Sequence, residues 1–140
     1  MDTRQLIIGA QLMILGSALA VTLHIPAADN EHQTHIPASE LNQLIQSGKA
    51  PTIIDVRSSH EYQSGHIPGA LHLPFWQTYW RTEIIDSPKD QLVVVYCAHG
   101  PRAGIARFSL SRKGFSKIAY LEGHMSGWYK AGLPVEPSPE

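Results

Sequence analysis

Apolar and polar positions change character twice along this chain. From Leu6 to Ile25 there is no charge, and only Gln11, Ser17, Thr22 and His24 interrupt the apolar run. Residues 26–36 are polar and contain Pro26, the pattern of a linker. Beyond Pro37, short β-branched runs alternate with helical patterns. Ser39 is placed to cap a helix from Glu40 through Leu41, Leu44 and Ile45, ended by Gly48. Pro51 to Val56 reads as a buried strand. Ser58 or Ser59 opens a short helix through Glu61 and Tyr62, stopped by Gly65. Ala70 to Leu73 is a second strand, closed by Pro74.

An aromatic segment follows (Phe75, Trp76, Tyr79, Trp80) that can frame a pocket, a partner surface or, as such clusters do more often, the core, then Thr82 to Ile85 and a turn around Pro88. Leu92 to Tyr96 is the central strand, and Arg102 to Lys113 a helix with Ile105, Phe108 and Leu110 apolar. Gly114 ends it, Lys117 to Leu121 is the next strand, and a last helix around Trp128 stops at Gly132. The chain from Pro134 onward reads as loose, with residues 137–140 as a tail. Strands alternating with helices over residues 37–136 predict one α/β domain, a mostly parallel sheet with helices on both faces.

The chain has 140 residues and a net charge of −1, which fits one globular domain after the N-terminal segment. Its few Lys and Arg are scattered, which argues against nucleic acid as a partner. The N-terminal segment adds a destination. Arg4, the apolar run and Ala18-Leu19-Ala20 have the order of a secretory signal peptide. As a helix at about 1.5 Å per residue, residues 6–25 also reach roughly 30 Å, enough to hold the protein to a membrane as an uncleaved anchor. Both forms imply export to the periplasm or another extracytoplasmic space. Arg4 stays inside, and His24, Asp29 and Glu31 emerge on the far side.

Candidate chemistry centres on Cys97, the only cysteine. It ends the run Leu92 to Tyr96 and precedes a Gly/Pro loop and the start of a helix. Unpaired backbone N–H groups and the helix dipole favour negative charge there, the setting of a thiolate. In α/β sheets, ligands bind beyond the carboxyl ends of the strands, where Cys97 falls. Arg102, five residues on, supplies a fixed cation with a donor fork. A lone thiol in an exported protein cannot form an internal disulfide, which points to chemistry on sulfur or intermolecular pairing.

Three segments in register resemble the rhodanese family. Asp55-Val-Arg57 with Glu61-Tyr62 and Gly65-His-Ile-Pro-Gly-Ala70 is similar to its first signature. Cys97-Ala-His-Gly-Pro-Arg102 resembles its active-site loop, and Leu121 to Glu136 its C-terminal signature. The resemblance implies an α/β domain in which Cys97 accepts a sulfane sulfur from a thiosulfate-like donor as a persulfide. The sulfur then passes to cyanide, a small thiol or a protein thiol, with no cofactor. On the same resemblance Ala98, His99, Gly100, Arg102 and Ala103 bind the donor. Their amides turn toward sulfur, Arg102 meets the sulfonate part, and His99 lines the mouth. Asp55 and Arg57 read as architectural, with Glu61 completing their set. Three positions depart from the family pattern: Pro101 lacks an N–H, Ala103 lacks a hydroxyl, and His124 replaces a commonly small residue.

Two other classes compete. A phosphatase uses a related Cys–Arg loop, but one residue longer than the four residues between Cys97 and Arg102. A non-enzymatic persulfide carrier or protein-interaction module is the other, since no second cysteine can empty a persulfide internally. Eight histidines raise the question of metal, but His60, His66 and His72 share no helix face and no ligand motif appears.

Overall fold

The computed structural model describes residues 35–137. The expected leader or anchor at residues 1–25, the linker before His35 and residues 138–140 lie outside the described residues. The described chain forms β1 (His35–Ile36), α1 (Ala38–Gln46), β2 (Thr52–Asp55), α2 (Ser59–Gln63), β3 (Leu71–His72), β4 (Leu92–Tyr96), α3 (Pro101–Arg112), β5 (Lys117–Leu121) and α4 (His124–Lys130). Two single-turn 3₁₀ segments, Phe75–Gln77 and Thr82–Ile84, bridge β3 and β4. The strands make one sheet in the order β1-β5-β4-β2-β3, and every neighbouring pair is parallel.

The unbroken apolar run of β4 follows from its position. Val93, Val94 and Val95 are all fully buried because helices cover both faces of the sheet. Alternate residues serve opposite faces. Ile54, Val56, Val93 and Val95 pack with Ala103, Ala106 and Leu110 of α3, whereas Ile53, Val94, Tyr96 and Leu121 pack with Leu41 of α1 and Met125 and Trp128 of α4.

Some local expectations change. His35 and Ile36, assigned to the linker, pair with Tyr120 and Leu121, which buries Ile36. Pro37 rather than Ser39 stands at the start of α1. The aromatic segment is not core: Trp76, Tyr79 and Trp80 are 44%, 61% and 60% exposed, and only Phe75 packs against the buried cluster. Nor do Ile105 and Phe108 face inward, because α3 approaches the sheet through its small residues Ala103, Ala106 and Ser109. Finally, the stretch from Pro134 to Glu136 is docked. His66 and Glu136 exchange backbone hydrogen bonds of 2.9 and 2.8 Å, and Trp128 Nε1–H donates to the Pro134 carbonyl at 2.8 Å.

One buried ion pair sets the loops at the carboxyl end of the sheet. Asp55 ends β2 with no exposed surface, and Arg57 is 4% exposed. The guanidinium donates to both Asp55 oxygens, with Nη2 at 2.7 Å, and also to the Gly65 carbonyl at 2.8 Å. Burial opposes the Arg57 charge, but Asp55 outweighs it and holds the guanidinium pKa above its ordinary value. Removing one partner leaves the other charge buried and alone. Arg57→Ala is therefore expected to lower the unfolding free energy by about 3–5 kcal/mol, measured by urea denaturation. A loss under about 1 kcal/mol would mean that water replaces the guanidinium without penalty.

Candidate active site

Cys97 leaves the carboxyl end of β4 and is 1% exposed. Its carbonyl accepts the Met125 N–H at 3.0 Å, and the Ala98 carbonyl accepts the Ser126 N–H at 3.3 Å and Oγ–H at 3.0 Å. The loop is thus stitched to the first turn of α4. Gly100 then turns the chain into α3 at φ +130°, a region in which side-chain-bearing residues are strained. That turn brings the Gly100 N–H onto Cys97 Sγ at 3.0 Å. Pro101 is the first helical residue, where an N–H would have no helical partner anyway. The amides of Arg102 and Ala103 sit in the same first turn and have no acceptor within the helix. Sulfur lies at the positive end of a twelve-residue helix.

Each expected donor-binding residue has a definite place. Gly100 supplies the N–H on sulfur. His99 Nδ1 and Ser126 Oγ lie in hydrogen-bond contact at 2.8 Å, and the same hydroxyl donates to the Ala98 carbonyl at 3.0 Å. Ala103 is fully buried, so its methyl belongs to the core and only its amide belongs to the loop. Arg102 is two-thirds buried and forms a forked ion pair with Glu61, Nη1 to Oε2 at 2.6 Å and Nη2 to Oε1 at 2.8 Å.

Glu61 therefore does not complete the Asp55–Arg57 set; it anchors Arg102. Its backbone N–H and carboxylate also close a capping box with Ser58 at the start of α2. The Arg102 hydrogen bonds, then those from Ser58, hold the Glu61 carboxyl far below the usual carboxylate range. Arg102 is raised in turn by Glu61, with a smaller contribution from the Cys97 sulfur beside it. Ser58, Glu61 and Arg102 form a chain that runs from the first signature to the first turn of α3.

The histidines in and just after that signature are structural. His66 and His72 stack on either side of Tyr62, with ring centroids at 3.7 and 4.6 Å, and donate to the Tyr62 and Arg57 carbonyls. Among the described residues no group of three or more His, Cys, Asp or Glu is placed to hold a metal ion. Besides the Glu61–Arg102 pair, sequence reasoning missed two contacts at the loop. Ser126 anchors the loop, and the His124 imidazole reaches the Cys97 N–H at 3.4 Å. For His124 the available signal was its departure from the family pattern; for Ser126 there was none.

Comparison with known proteins bears on the family and the fold. A family model described as the rhodanese-like domain matches residues 37–131. The chain belongs to the rhodanese-like domain family. A sulfurtransferase from Allochromatium vinosum is 33% identical over 100 residues, covering 71% of this chain and 92% of that protein. A rhodanese-related protein from Thermoplasma volcanium superposes with a TM-score of 0.63 at 31% identity, over 74% of this chain and 98% of that one. A thiosulfate sulfurtransferase from Pseudomonas aeruginosa superposes at 0.67 and 28% identity, over 79% of this chain but 21% of that longer one. Several other relatives are also longer, the chain spanning 54% of one and 35% of another.

The rhodanese-like loop depends on the Glu61–Arg102 pair for part of its stability at neutral pH. A carboxyl held low in the fold stabilises it above its unfolded pKa, about 4.3, and that contribution fades as pH falls below this value. Glu61→Gln is expected to cost about 1 kcal/mol at pH 7 and to flatten the fall in stability between about pH 4.5 and pH 3. Equal pH slopes for both proteins in chemical denaturation would show that the pair contributes nothing.

Proposed function

We propose that this protein is a sulfurtransferase in which Cys97 carries the transferred sulfur. The observation that supports it most is the sulfur itself. A lone thiol stands at the N-terminus of α3 and receives the Gly100 N–H, with Arg102 in the first turn of that helix fixed by Glu61. Donors fixed in that way stabilise an anionic sulfur without reorganising at the moment of reaction. The Cys97 thiolate attacks the outer sulfur of a thiosulfate-like donor. A new S–S bond forms, the donor's S–S bond breaks, and sulfite leaves with the bonding pair. Arg102 faces the departing sulfonate. The persulfide's terminal sulfur is then taken by cyanide or a thiolate, and Cys97 leaves again as thiolate.

The chain holds one cysteine, so the acceptor is external: cyanide, a small thiol or a protein thiol. The burial of Cys97 favours a small donor that enters the loop. We place this chemistry outside the cytoplasm, on the strength of the charge-free run Leu6 to Ile25 after Arg4. A cradle this short fits a sulfur atom better than a phosphate with its three equatorial oxygens, so aryl phosphates are not substrates.

The test is intact mass. The reduced full chain is incubated with thiosulfate beside Cys97→Ser. The expected result is a gain of one sulfur, absent in the variant and reversed by a thiol. Arg102→Ala should load about 10- to 100-fold more slowly, the worth of a charge-assisted contact to the donor. A wild-type protein that gains no sulfur while its thiol alkylates readily would overturn thiosulfate as donor. Cys97-dependent hydrolysis of an aryl phosphate would overturn the reaction class.

A further inference from the structure

His124 is the single described residue other than glycine with a positive φ, +52°. A histidine in the left-handed region carries a conformational cost that glycine would avoid. It follows Gly123, itself left-handed, so the chain makes two such turns in succession at the entrance to α4. The cost is met where the side chain reaches the active-site loop at both ends. Nδ1 lies 3.4 Å from the Cys97 N–H, and Nε2 lies 3.2 Å from the position a Cβ on Gly100 would take. The imidazole fills the space beside Gly100, the residue whose N–H rests on Cys97 Sγ.

We propose that neutral His124 is a positioning residue for the Cys97 loop, its Nδ1 accepting the Cys97 N–H while its ring edge holds Gly100 in the turn that points an N–H at sulfur. The role of this N–H in sulfur transfer rests on the function proposed above; the contact itself does not. The tautomer is fixed, because a nitrogen that accepts carries no proton and Nε2 must be the protonated one. The groups around the ring favour the neutral form. Tyr120 of β5 meets it edge-on at 6.1 Å, His35 of β1 and Arg107 of α3 pack on that same tyrosine, and His99 approaches from the loop. Burial, then repulsion from His35 and His99, pushes the His124 pKa below its ordinary value.

Protonation of His124 puts a proton on Nδ1, facing the Cys97 N–H, and turns an acceptor into a clash. A histidine whose folded pKa is depressed stabilises the fold above its unfolded pKa, about 6.5, and that contribution is lost as pH falls. The loop is therefore held at neutral pH and released on acidification.

The experiment compares the full-length wild type with His124→Asn and His124→Gly. Asn tolerates the left-handed region, and its Oδ1 stands where Nδ1 stands, whereas Gly relieves the backbone and removes the contact. Imidazole ¹⁵N shifts should show the Nε2–H tautomer of His124 at pH 7.5. The Cys97 amide should exchange with deuterium about 5- to 10-fold faster in the Gly variant, the worth of one hydrogen bond, and stay near wild type in the Asn variant. Single-turnover loading from saturating thiosulfate should slow by a similar factor in the Gly variant alone, with the midpoint of thermal unfolding unchanged or raised. In the wild type, but not in the Asn variant, amide exchange should accelerate beyond its ordinary pH dependence below about pH 6.5. A Nδ1–H tautomer, or a Gly variant whose Cys97 amide exchanges at the wild-type rate, would overturn the proposal. Should the wild type fail to load sulfur, the function proposed above falls, while tautomer and exchange still decide the role of His124.

Discussion

Most of the carboxyl end of the sheet hangs on the buried Asp55–Arg57 pair. Asp55 lies opposite Tyr96 and His72 in the sheet, and its carbonyl accepts the Leu73 N–H at 2.9 Å. Arg57 reaches past it to the Gly65 carbonyl and lies 5.7 Å from the centre of the Tyr96 ring. Tyr96 in turn brings no charge of its own, since burial and the Asp55 carboxylate hold its phenol well above the ordinary tyrosine range. Its oxygen accepts the Ile67 N–H at 3.1 Å. One ion pair therefore ties the ends of β2, α2 and β4 into a fixed frame, and Cys97 is the next residue out of it.

On that frame the loop is held from two sides. Glu61, at the start of α2, fixes Arg102, and the opening turn of α4 fixes Cys97, Ala98 and His99 through Met125 and Ser126. A loop with so many anchors keeps the Gly100 N–H on Cys97 Sγ. That is the physical content of preorganisation at this site: the dipoles are placed by folding rather than by binding. The same anchoring leaves the thiol nearly inaccessible.

What the sequence revealed follows the range of each interaction. β2, β4 and β5 could be read because they are apolar runs buried on both faces, and α2 because Ser58 and Glu61 form a capping box within one turn. Cys97, Gly100 and Arg102 were legible because the loop that gathers them is six residues long. The Glu61–Arg102 pair spans 41 positions and needed the fold to appear. β1 is two residues long, too short for a period to show, and is made a strand by its neighbour β5. The aromatic segment failed in the opposite sense: its composition suggests burial, but the 3₁₀ turn at Phe75–Gln77 and the turn after it leave three of the four rings in solvent. His124 stood out only by departing from a pattern, and its backbone conformation gives that departure a meaning.

The chemistry of this site converges on a single atom, the sulfur of Cys97, and on the loop around it. The most direct measurement is a crystal structure of the protein after exposure to thiosulfate. The expected result is one additional sulfur bonded to Cys97 Sγ, within hydrogen-bond reach of the loop amides, with the Glu61–Arg102 fork still closed. An unmodified thiol with the donor bound elsewhere, or a loop whose amides turn away from a modified sulfur, would contradict it.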